Sequence, residues 1–309
     1  MKPSSGHWNG PSDKPASSTP ASLLDHNPSG HGNAYHAGGP RISVIIPTLN
    51  EASTVEDCLG QFEGGSVRPD EPAGLPGTTG PTELHGPDES AGPPGPTGPP
   101  GSAAPTSPAS LEIIVVDGGS DDGTPEIVRS RPGARLIESS MRGRAIQMNA
   151  GAAASSGDVL LFLHADTRLP DRWRELVAES ICERGKAGGR FRFDIAHAKR
   201  IYRWIARGTN FRSRFLGITY GDQAIYTTRE AFEAVGGFPG IPVFEDARFA
   251  DRLKKVGGLD WIDEAVLTSA RRWERRGPVR TLLLTWMLRL LYTLFVPTSF
   301  LARFYGVVR

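Results

Sequence analysis

The chain has 309 residues, of which 38% are hydrophobic, and its 35 Lys and Arg nearly balance its 34 Asp and Glu. A net charge of +1 excludes a protein that binds nucleic acid through a concentrated positive excess. Cys58 and Cys182 are the only cysteines, and they lack the spacing of a disulfide framework or a zinc site. The apolar content suffices for one substantial core, so we expect one folded domain with tails.

Two stretches of the chain are too poor in apolar residues to be ordered by burial. Residues 1–39 are dominated by Ser, Gly, Pro, His and Asn, and 22 of the 47 residues at 64–110 are Gly or Pro. We therefore predict a disordered tail and a disordered insertion, because the three collagen-like triplets of "GPPGPTGPPG" cannot form a triple helix on one chain. The folded domain is placed at 40–276, followed by a C-terminal amphipathic helical segment at 277–309. The N-terminus lacks the apolar region of a signal peptide, which favours the cytoplasm.

Hydrophobic strands alternate with helical patterns through the first half of the domain. The strands are "RISVIIP", "LEIIVVD", "ARLIES" and "DVLLFLHAD", apolar runs typical of strands buried on both faces. Val55, Cys58 and Leu59 recur at helical spacing after the first strand. This alternation predicts an α/β fold with a mainly parallel, Rossmann-like sheet flanked by helices. Ligands of such sheets bind outside the carboxyl ends of the strands.

Polar side chains follow three of these strands. Asn50 and Glu51 come after the first, Asp117 ends the second, and His164 and Asp166 follow a later one. A single Asp at such a place is more often a turn or capping residue. Three separate segments that bring polar groups to one edge of a sheet together indicate a binding site.

Four ordered motifs, "VIIPTLNE", "VVDGGSDDGT", "RGRAIQMNAGAAASSGDVLLFLHADT" and "VFEDARFADRL", resemble those of family-2 glycosyltransferases with the nucleotide-diphosphosugar transferase (GT-A) fold. The resemblance covers about Arg41 to Arg276 apart from the insertion. It implies an enzyme that moves a hexose-type sugar from a nucleotide diphosphate, with uridine the expected base, to a hydroxyl with inversion. "GDQAIY" and "TSARRWERRGPVRTLLL" are more narrowly similar to a bacterial subgroup associated with radical-SAM partners and arsenosugar biosynthesis.

The resemblance also implies a set of residues that bind the nucleotide sugar. Glu51 and Asp117 would hold the base and ribose, and Arg144, near a helix start, would lie close to the phosphates. The alternative for the arginine segment is a solvated surface turn. The full set expected to contact the donor is Pro47, Asn50, Glu51, Asp117, Arg144 and His164.

Asp166 corresponds to the last Asp of the Asp-x-Asp motif that holds the metal in this family, and His164 stands where the first Asp would be. Mg²⁺ commonly uses only one or two protein carboxylates, with phosphates and water as its other ligands. We therefore expect Asp166 to hold Mg²⁺ or Mn²⁺ and His164 to contact the ribose. Direct metal ligation by His164, favoured more by Mn²⁺ than by Mg²⁺, and a buried structural imidazole are the alternatives.

The second half of the domain is expected to build the acceptor side. Gly221, Asp222 and Gln223 lie near the start of a predicted strand, where glycine lets a sugar approach the backbone. The Glu245-Asp246 pair begins a predicted helix, where carboxylates are common because of the helix dipole alone. In the family pattern the Asp is the general base, so the resemblance implies catalysis by Asp246 with Glu245 beside it.

Further along the chain, "SARRW" resembles the Gln-x-x-Arg-Trp element of processive polysaccharide synthases, with Ser269 in place of Gln. That departure argues against processive synthesis. Arg271 and Arg272 are expected to neutralise the diphosphate and Trp273 to stack on a sugar, and an exposed basic strand end is the alternative. The apolar segment 281–296 is shorter than the ~20 residues of a membrane span. It is expected either to lie on the inner leaflet, with 271–296 as the contact, or to pack as a buried helix or dimer contact.

Two other classes of function share parts of this pattern. A nucleotidyltransferase has a related sheet but carries a Gly-rich, Lys- or Arg-bearing loop after the first strand, where this chain has "PTLNEAS". A non-catalytic nucleotide-binding scaffold would have the same sheet and no turnover. Product formation from a labelled donor discriminates between a scaffold and an enzyme.

Overall fold

The structure, a computed structural model, describes residues 39–63 and 111–305. The predicted insertion at 64–110 and nearly all of the predicted tail at 1–39 lie outside the described residues. The expectations about them are therefore untested.

The described residues form eight strands and ten α-helices. The strands are β1 (Ile42–Thr48), β2 (Leu111–Asp117), β3 (Ala134–Glu138), β4 (Val159–Phe162), β5 (Thr167–Arg168), β6 (Gly188–Ala196), β7 (Tyr226–Thr228) and β8 (Leu259–Ser269). The helices are α1 (Ala52–Gly60), α2 (Thr124–Arg129), α3 (Arg144–Ala154), α4 (Trp173–Ala178), α5 (Arg200–Leu216), α6 (Arg229–Ala234), α7 (Glu245–Leu253), α8 (Arg271–Arg276), α9 (Pro278–Thr293) and α10 (Thr298–Tyr305).

All eight described strands form one sheet in the order β3-β2-β1-β4-β7-β6-β8-β5. Strands β3, β2, β1 and β4 are parallel neighbours, as the alternating pattern predicted, and β6 pairs with β8 in parallel as well. The short β7 lies antiparallel between β4 and β6, and β5 is antiparallel to β8. The carboxyl ends of β1, β2 and β4 therefore meet at one edge, where the polar residues were expected.

Successive residues of the central strands point to opposite faces of the sheet, and each face has its own core. Val44 and Ile46 pack with α1 and α4 on one face. Ile45 packs with α3 and α7 on the other. Both clusters are almost fully buried, which explains why these strands are apolar at most positions rather than only at alternate ones.

The pairing of β5 with β8 joins the segment after β4 to the start of α8. Thr167 lies opposite Thr268, and their hydroxyl oxygens are 3.1 Å apart. The backbone amide of Ser269 donates to the carbonyl of Asp166 at 2.9 Å. This contact brings the arginines of α8 to the edge of the sheet where β4 ends.

The C-terminal apolar segment forms two helices, α9 and α10, rather than one. Leu288 and Leu301 are buried against Val243, Phe244 and Ala247. Among the described residues, no helix has both the length and the apolar character needed to cross a bilayer.

Candidate active site

A cleft of about 640 Å³ lies at the carboxyl ends of β1, β2 and β4. We call it the main cleft. It is lined by the β1 loop, parts of the β2 and β4 loops, the start of α3 and the arginine face of α8: Pro47, Thr48, Leu49, Asn50, Glu51, Ala52, Ser53, Gly118, Asp122, Arg142, Gly143, Arg144, Gln147, His164, Ala165, Asp166, Arg271, Arg272, Arg275 and Arg276. Six of these residues are arginines and three are carboxylates, so the cleft matches a multiply charged anion.

The loops after β1 and β2 are fastened to each other across the cleft floor. Asn50 has a φ of 56°, in the left-handed region that Asn tolerates better than most residues. Its backbone amide donates to the hydroxyl of Ser120 at 2.8 Å, and its side-chain oxygen accepts from the amide of Asp121 at 3.0 Å. Gln147 adds a second link, because its amide nitrogen donates to the carbonyls of Thr48 and Val116.

Asp117 lies beneath the main cleft rather than among its lining residues. It is 2% exposed, and its carboxylate accepts from the amides of Gly119 and Ser120 at 2.9 and 2.8 Å. The hydroxyls of Thr48 and Ser120 donate to its other oxygen. In this arrangement Asp117 shapes the turn after β2, the structural alternative considered for such an Asp.

Asp122 also lines the main cleft, although the sequence pattern predicted only a turn at this position. Its carboxylate accepts from the amide of Ala52 at 2.9 Å and from the amide and hydroxyl of Thr124. Burial acts to raise the pKa of Asp122, but the hydrogen bonds from Thr124 and Ala52 outweigh it and hold the pKa below its usual value. The acidic turn therefore keeps a carboxylate beside the start of α1.

An ion pair crosses the cleft between the β1 loop and α8. The guanidinium of Arg271 lies 2.5 Å from the carboxylate of Glu51 and also contacts the hydroxyl of Ser53. The sequence had assigned Glu51 to the base and Arg271 to the diphosphate, and the fold places the two residues in contact. Arg272 lies beside them in the lining of the cleft.

His164 and Asp166 both line the main cleft, and Asp166 is the candidate metal ligand. No group of three or more His, Cys, Asp or Glu side chains in the described part of the chain could hold a metal by itself. A single carboxylate beside an imidazole fits a cation that takes most of its ligands from a bound diphosphate and water. The described residues therefore suit a metal that arrives with an anionic ligand, rather than one held by the protein alone.

Asp246 is held beside His164 by the segment that precedes β7. Its carboxylate accepts from the amide of Gly221 at 2.7 Å and from the amide of Ala247 at 2.6 Å. A Cβ on Gly221 would lie 2.8 Å from Nε2 of His164 and 3.4 Å from Oδ2 of Asp246. Gly221 therefore fits between the imidazole and the carboxylate, where no larger residue has room.

A second, smaller cavity of about 70 Å³ adjoins the main cleft, and we call it the side pocket. It shares Arg144, His164 and Arg272 with the cleft. Its other lining residues come from α5, α7, α8, α9 and the segment before β7: Thr209, Arg212, Tyr220, Asp222, Phe244, Glu245, Asp246, Trp273, Leu282, Thr285 and Trp286. The two cavities thus meet at His164 and Arg144, with Asp246 on the side-pocket wall.

Two buried polar groups in the side pocket lack hydrogen-bond partners in the described part of the chain. Oδ1 of Asp222 and the hydroxyl of Tyr220 have no hydrogen-bond partner among the described residues. Burial raises the pKa of Asp222, although Arg212 and Arg272 act to lower it. Burial also raises the pKa of Tyr220 to about 12, again against Arg212, whose guanidinium lies 4.2 Å from the ring centroid. A ligand with hydroxyl groups would satisfy these atoms.

The remaining predicted site residues have supporting positions. Glu245 is buried and lies 3.9 Å from the guanidinium of Arg144, linking the start of α7 to the start of α3. Gln223 is fully buried and donates to the carbonyl of Phe191 at 3.2 Å, outside both cavities. Trp273 is 7% exposed and lines the side pocket. The sequence pattern had not singled out Arg212 or Tyr220, because neither lies in a motif.

Comparison with known proteins finds relatives for part of the chain. Residues 102–233 match the family model "Glycosyl transferase family 2". Glycosyltransferase AglE of Haloferax volcanii is 29% identical over 152 residues, which cover 47% of this chain and 37% of AglE. The chain thus matches well under half the length of this curated relative.

Two solved structures share the fold. The crystal structure of S. aureus TarS 1-349 in complex with UDP-GlcNAc superposes with a TM-score of 0.52 at 14% identity, over 74% of this chain and 58% of that chain. The same protein in complex with UDP gives a TM-score of 0.51 at 15% identity, over 74% and 60%. At this identity the likeness concerns the fold alone.

The sheet order, the position of the cleft and these neighbours define a GT-A glycosyltransferase fold, as expected from the sequence. Residues 102–233 are similar to the family model "Glycosyl transferase family 2", which supports glycosyl transfer as the class of activity.

Proposed function

We propose that this protein is a metal-dependent glycosyltransferase that moves a sugar from a nucleotide diphosphate, most simply UDP, to a hydroxyl with inversion. One observation carries the proposal: an arginine-rich cleft at the strand ends meets, at His164, a pocket whose wall carries Asp246. This arrangement suits a diphosphate donor on one side and an acceptor on the other.

The donor is proposed to bind along the main cleft. The base and ribose lie against Pro47, Asn50, Glu51 and His164, with Asp117 holding the β2 loop beneath them. The diphosphate lies against the arginines of α3 and α8, namely Arg144, Arg271 and Arg272, whose guanidinium groups neutralise the charge of the leaving group.

Asp166 is proposed to hold Mg²⁺ or Mn²⁺ together with the diphosphate. A bound divalent cation would stabilise the negative charge that the leaving diphosphate acquires. His164 is proposed to contact the ribose and to form the boundary between donor and acceptor.

Asp246 is proposed as the general base. Two backbone amides fix its carboxylate, which still has lone pairs for an acceptor hydroxyl. Proton removal by Asp246 while the hydroxyl oxygen attacks the anomeric carbon displaces the diphosphate in one step, which gives inversion. Glu245, paired with Arg144, positions the start of α7, and Asp222 and Trp273 contact the acceptor from the side pocket.

The setting proposed for this reaction is the cytoplasmic face of a membrane, with segment 271–296 as the contact. Membership of the subgroup associated with radical-SAM partners is proposed from sequence motifs alone, and it leaves the chemistry unchanged.

The test compares three variants in donor binding and in single-turnover transfer. Asp166→Ala should abolish the metal dependence of donor affinity and lower turnover, because the diphosphate loses its counter-charge in both ground and transition states. Asp246→Asn should lower turnover by ~10²–10⁴ with donor affinity nearly unchanged, because the amide cannot take the proton. His164→Asp should keep turnover within about tenfold, a barrier change of ~1.4 kcal/mol.

Matched controls are Asp251→Asn, on the same helix as Asp246, and Asp171→Ala, an exposed carboxylate close to Asp166 in the chain. Both should behave as the parent does. A parent protein that binds UDP-sugars equally well with and without Mn²⁺ would exclude the metal assignment. Parental turnover by Asp246→Asn would exclude the base, and absence of any transfer would favour a binding scaffold.

A further inference from the structure

Large apolar side chains are exposed mainly on three helices that contact one another in sequence, α5 with α9 and α9 with α10. Thirteen of the sixteen exposed large hydrophobic residues in the described part of the chain lie on α5 or between the start of α9 and the end of α10. Monomeric soluble proteins seldom expose contiguous apolar patches of this kind unless the patch has a partner.

The exposed residues of α5 form a stripe along one face. Trp204, Phe211 and Phe215 are spaced by seven and four residues and are 67%, 60% and 69% exposed. The opposite face of α5, with Tyr202 and Ile205, packs into the domain. Helix α5 thus has two apolar faces: one is covered by the domain, and the other is exposed.

Helix α9 packs against α5 and has an exposed apolar stripe of its own. The stripe consists of Val279, Leu283, Trp286, Leu290 and, just past the helix end, Leu294, which recur every three or four residues and are 57–64% exposed. Phe295 follows at 93% exposure, and Phe300 and Phe304 extend the surface along α10. We call the α5 and α9 stripes with these three Phe residues the apolar surface.

The charge around the apolar surface is almost entirely positive. Helices α5, α8, α9 and α10 contain twelve arginines and one carboxylate, Glu274. Seven of these arginines are exposed: Arg200, Arg203, Arg207, Arg214, Arg275, Arg280 and Arg303. Arg207 lies over the ring of Trp204, with its guanidinium carbon 5.5 Å from the ring centroid.

We propose that the apolar surface docks onto an anionic lipid bilayer. Exposed tryptophans and phenylalanines flanked by arginines match an interface of acyl chains and acidic headgroups. A second copy of the chain is a poorer partner, because a two-fold contact would bring the same arginine-rich faces together without carboxylates to pair with. Since α9 carries Arg289 and is only 16 residues long, it lies along the bilayer rather than across it.

The surface also indicates the class of acceptor, a step that rests on the proposed function. The side pocket lies between Thr209 and Arg212 of α5 and Leu282, Thr285 and Trp286 of α9. Trp286 belongs both to the pocket lining and to the exposed stripe. Docking therefore turns the side pocket toward the bilayer, so that the acceptor is an amphiphile whose hydroxyl lies at the lipid surface.

Vesicle co-sedimentation tests the docking without any need for activity. The full-length protein should bind vesicles of phosphatidylcholine and phosphatidylglycerol in a two-to-one ratio much more tightly than phosphatidylcholine alone, and salt should weaken the binding. Trp204→Gln with Phe215→Gln, and separately Leu283→Gln with Leu290→Gln, should each weaken the partition at least about tenfold. Val256→Gln, at an apolar residue beyond α7 that is 48% exposed, should leave the partition unchanged.

A second measurement tests the orientation. In a Cys182→Ser background, Thr209→Cys at the pocket should lose its reactivity with a water-soluble maleimide when anionic vesicles are added, whereas Ser130→Cys on the far end of α2 should keep it. Equal reactivity of Thr209→Cys with and without vesicles would exclude the inferred acceptor route.

Three other results would overturn the docking proposal. Failure of the parent to bind anionic vesicles would overturn it, as would double variants that bind as the parent does. A stable dimer in solution that the same double variants dissociate would overturn it in favour of a second copy. Donor affinity measured by calorimetry without lipid should be the same in the parent and the double variants, so loss of docking is distinguishable from failure of the glycosyltransferase proposal.

Discussion

At the scale of single residues, Gly221 shows how closely the two halves of the site are fitted. Gly221→Ala would place a methyl group 2.8 Å from the His164 imidazole, so that either the imidazole or the segment before β7 must shift. Because such a shift would displace the proposed boundary between donor and acceptor, we expect transfer to fall about 10- to 100-fold. Single-turnover kinetics and thermal unfolding measure the effect.

Gly240→Ala is the control for that substitution, since a Cβ there meets no atom within 4 Å. It should leave transfer unchanged. Parental kinetics in Gly221→Ala would show that the imidazole is free to move without consequence.

Cys58 supports the segment that carries His164 and Asp166. Its sulfur lies 3.8 Å from the carbonyl of His164 and 3.9 Å from that of Thr167. Burial, aided by the negative charge of Asp166, raises the pKa of Cys58 to about 12. Because the thiolate is the reactive form, we expect no alkylation of Cys58 at about pH 8 in the native protein, where Cys182 reacts slowly.

Mass spectrometry after iodoacetamide treatment measures the modification at each position, and both cysteines should react once the protein is unfolded. Modification of native Cys58 at the rate of Cys182 would contradict this expectation and would mean that the segment carrying His164 and Asp166 opens readily.

At the scale of elements, the sequence predicts best where one local signal decides the outcome. The uninterrupted apolar runs of β1, β2 and β4 predicted strands buried on both faces, and Glu245-Asp246 marked the start of α7 correctly. The role of Asp117 is not decided by its local signal. A carboxylate after a strand looks the same in sequence whether it binds a ligand or, as here, accepts from three donors of its own turn and from the hydroxyl of Thr48 on β1.

Contacts between distant segments could not be predicted from local patterns. Glu51 and Arg271 are 220 positions apart in the chain, and only the pairing of β5 with β8 brings α8 to the β1 loop. The position of β7, antiparallel between β4 and β6, likewise depends on the packing of the whole sheet. Arg212 and Tyr220 could not be predicted as site residues for the same reason, because the packing of the helices, and not a motif, places them in the side pocket.

The ion pair between Glu51 and Arg271 is expected to fasten α8 over the main cleft. Both side chains are 28% exposed, so solvent screening limits the coupling in unfolding free energy to about 0.5–1 kcal/mol. A double-mutant cycle with Glu51→Gln and Arg271→Met measures it by chemical denaturation. Arg271→Met should also weaken donor binding, whereas Arg129→Met, in an exposed ion pair on α2, should not.

Additive effects of the two substitutions on stability, combined with parental donor affinity in Arg271→Met, would contradict this role for α8.

In the whole molecule, two parts of the chain build the candidate site: the parallel half of the sheet and the segments that follow residue 233. The parallel half of the sheet and its loops build most of the main cleft, and most of that half lies in the region matched by the family model. Asp246, the arginines of α8 and the wall formed by α9 lie beyond residue 233. The matched region therefore covers much of the proposed donor side but not Asp246, α8 or α9. The proposed acceptor side is where this chain is expected to differ from its relatives.

The connection between α1 and β2 is expected to tolerate a large deletion. Strands β1 and β2 pair in register along their whole length, from Ile42 opposite Leu111 to Thr48 opposite Asp117, and Phe62 packs edge-on against Trp173 at 6.2 Å between ring centroids. Deletion of residues 65–109 keeps all of these residues and leaves five residues, 61–64 and 110, between α1 and β2. Helix-to-strand connections of 2–6 residues are usual in α/β folds.

The shortened protein should therefore fold with the same cooperativity and bind donor as the full chain does, and its melting temperature should be equal or slightly higher, because a shorter loop costs less entropy to close. Thermal unfolding followed by circular dichroism, together with calorimetry of donor binding, checks both expectations. Loss of cooperative unfolding would show that residues within 65–109 contribute to the core, whereas normal unfolding with weakened donor binding would show that they reach the main cleft.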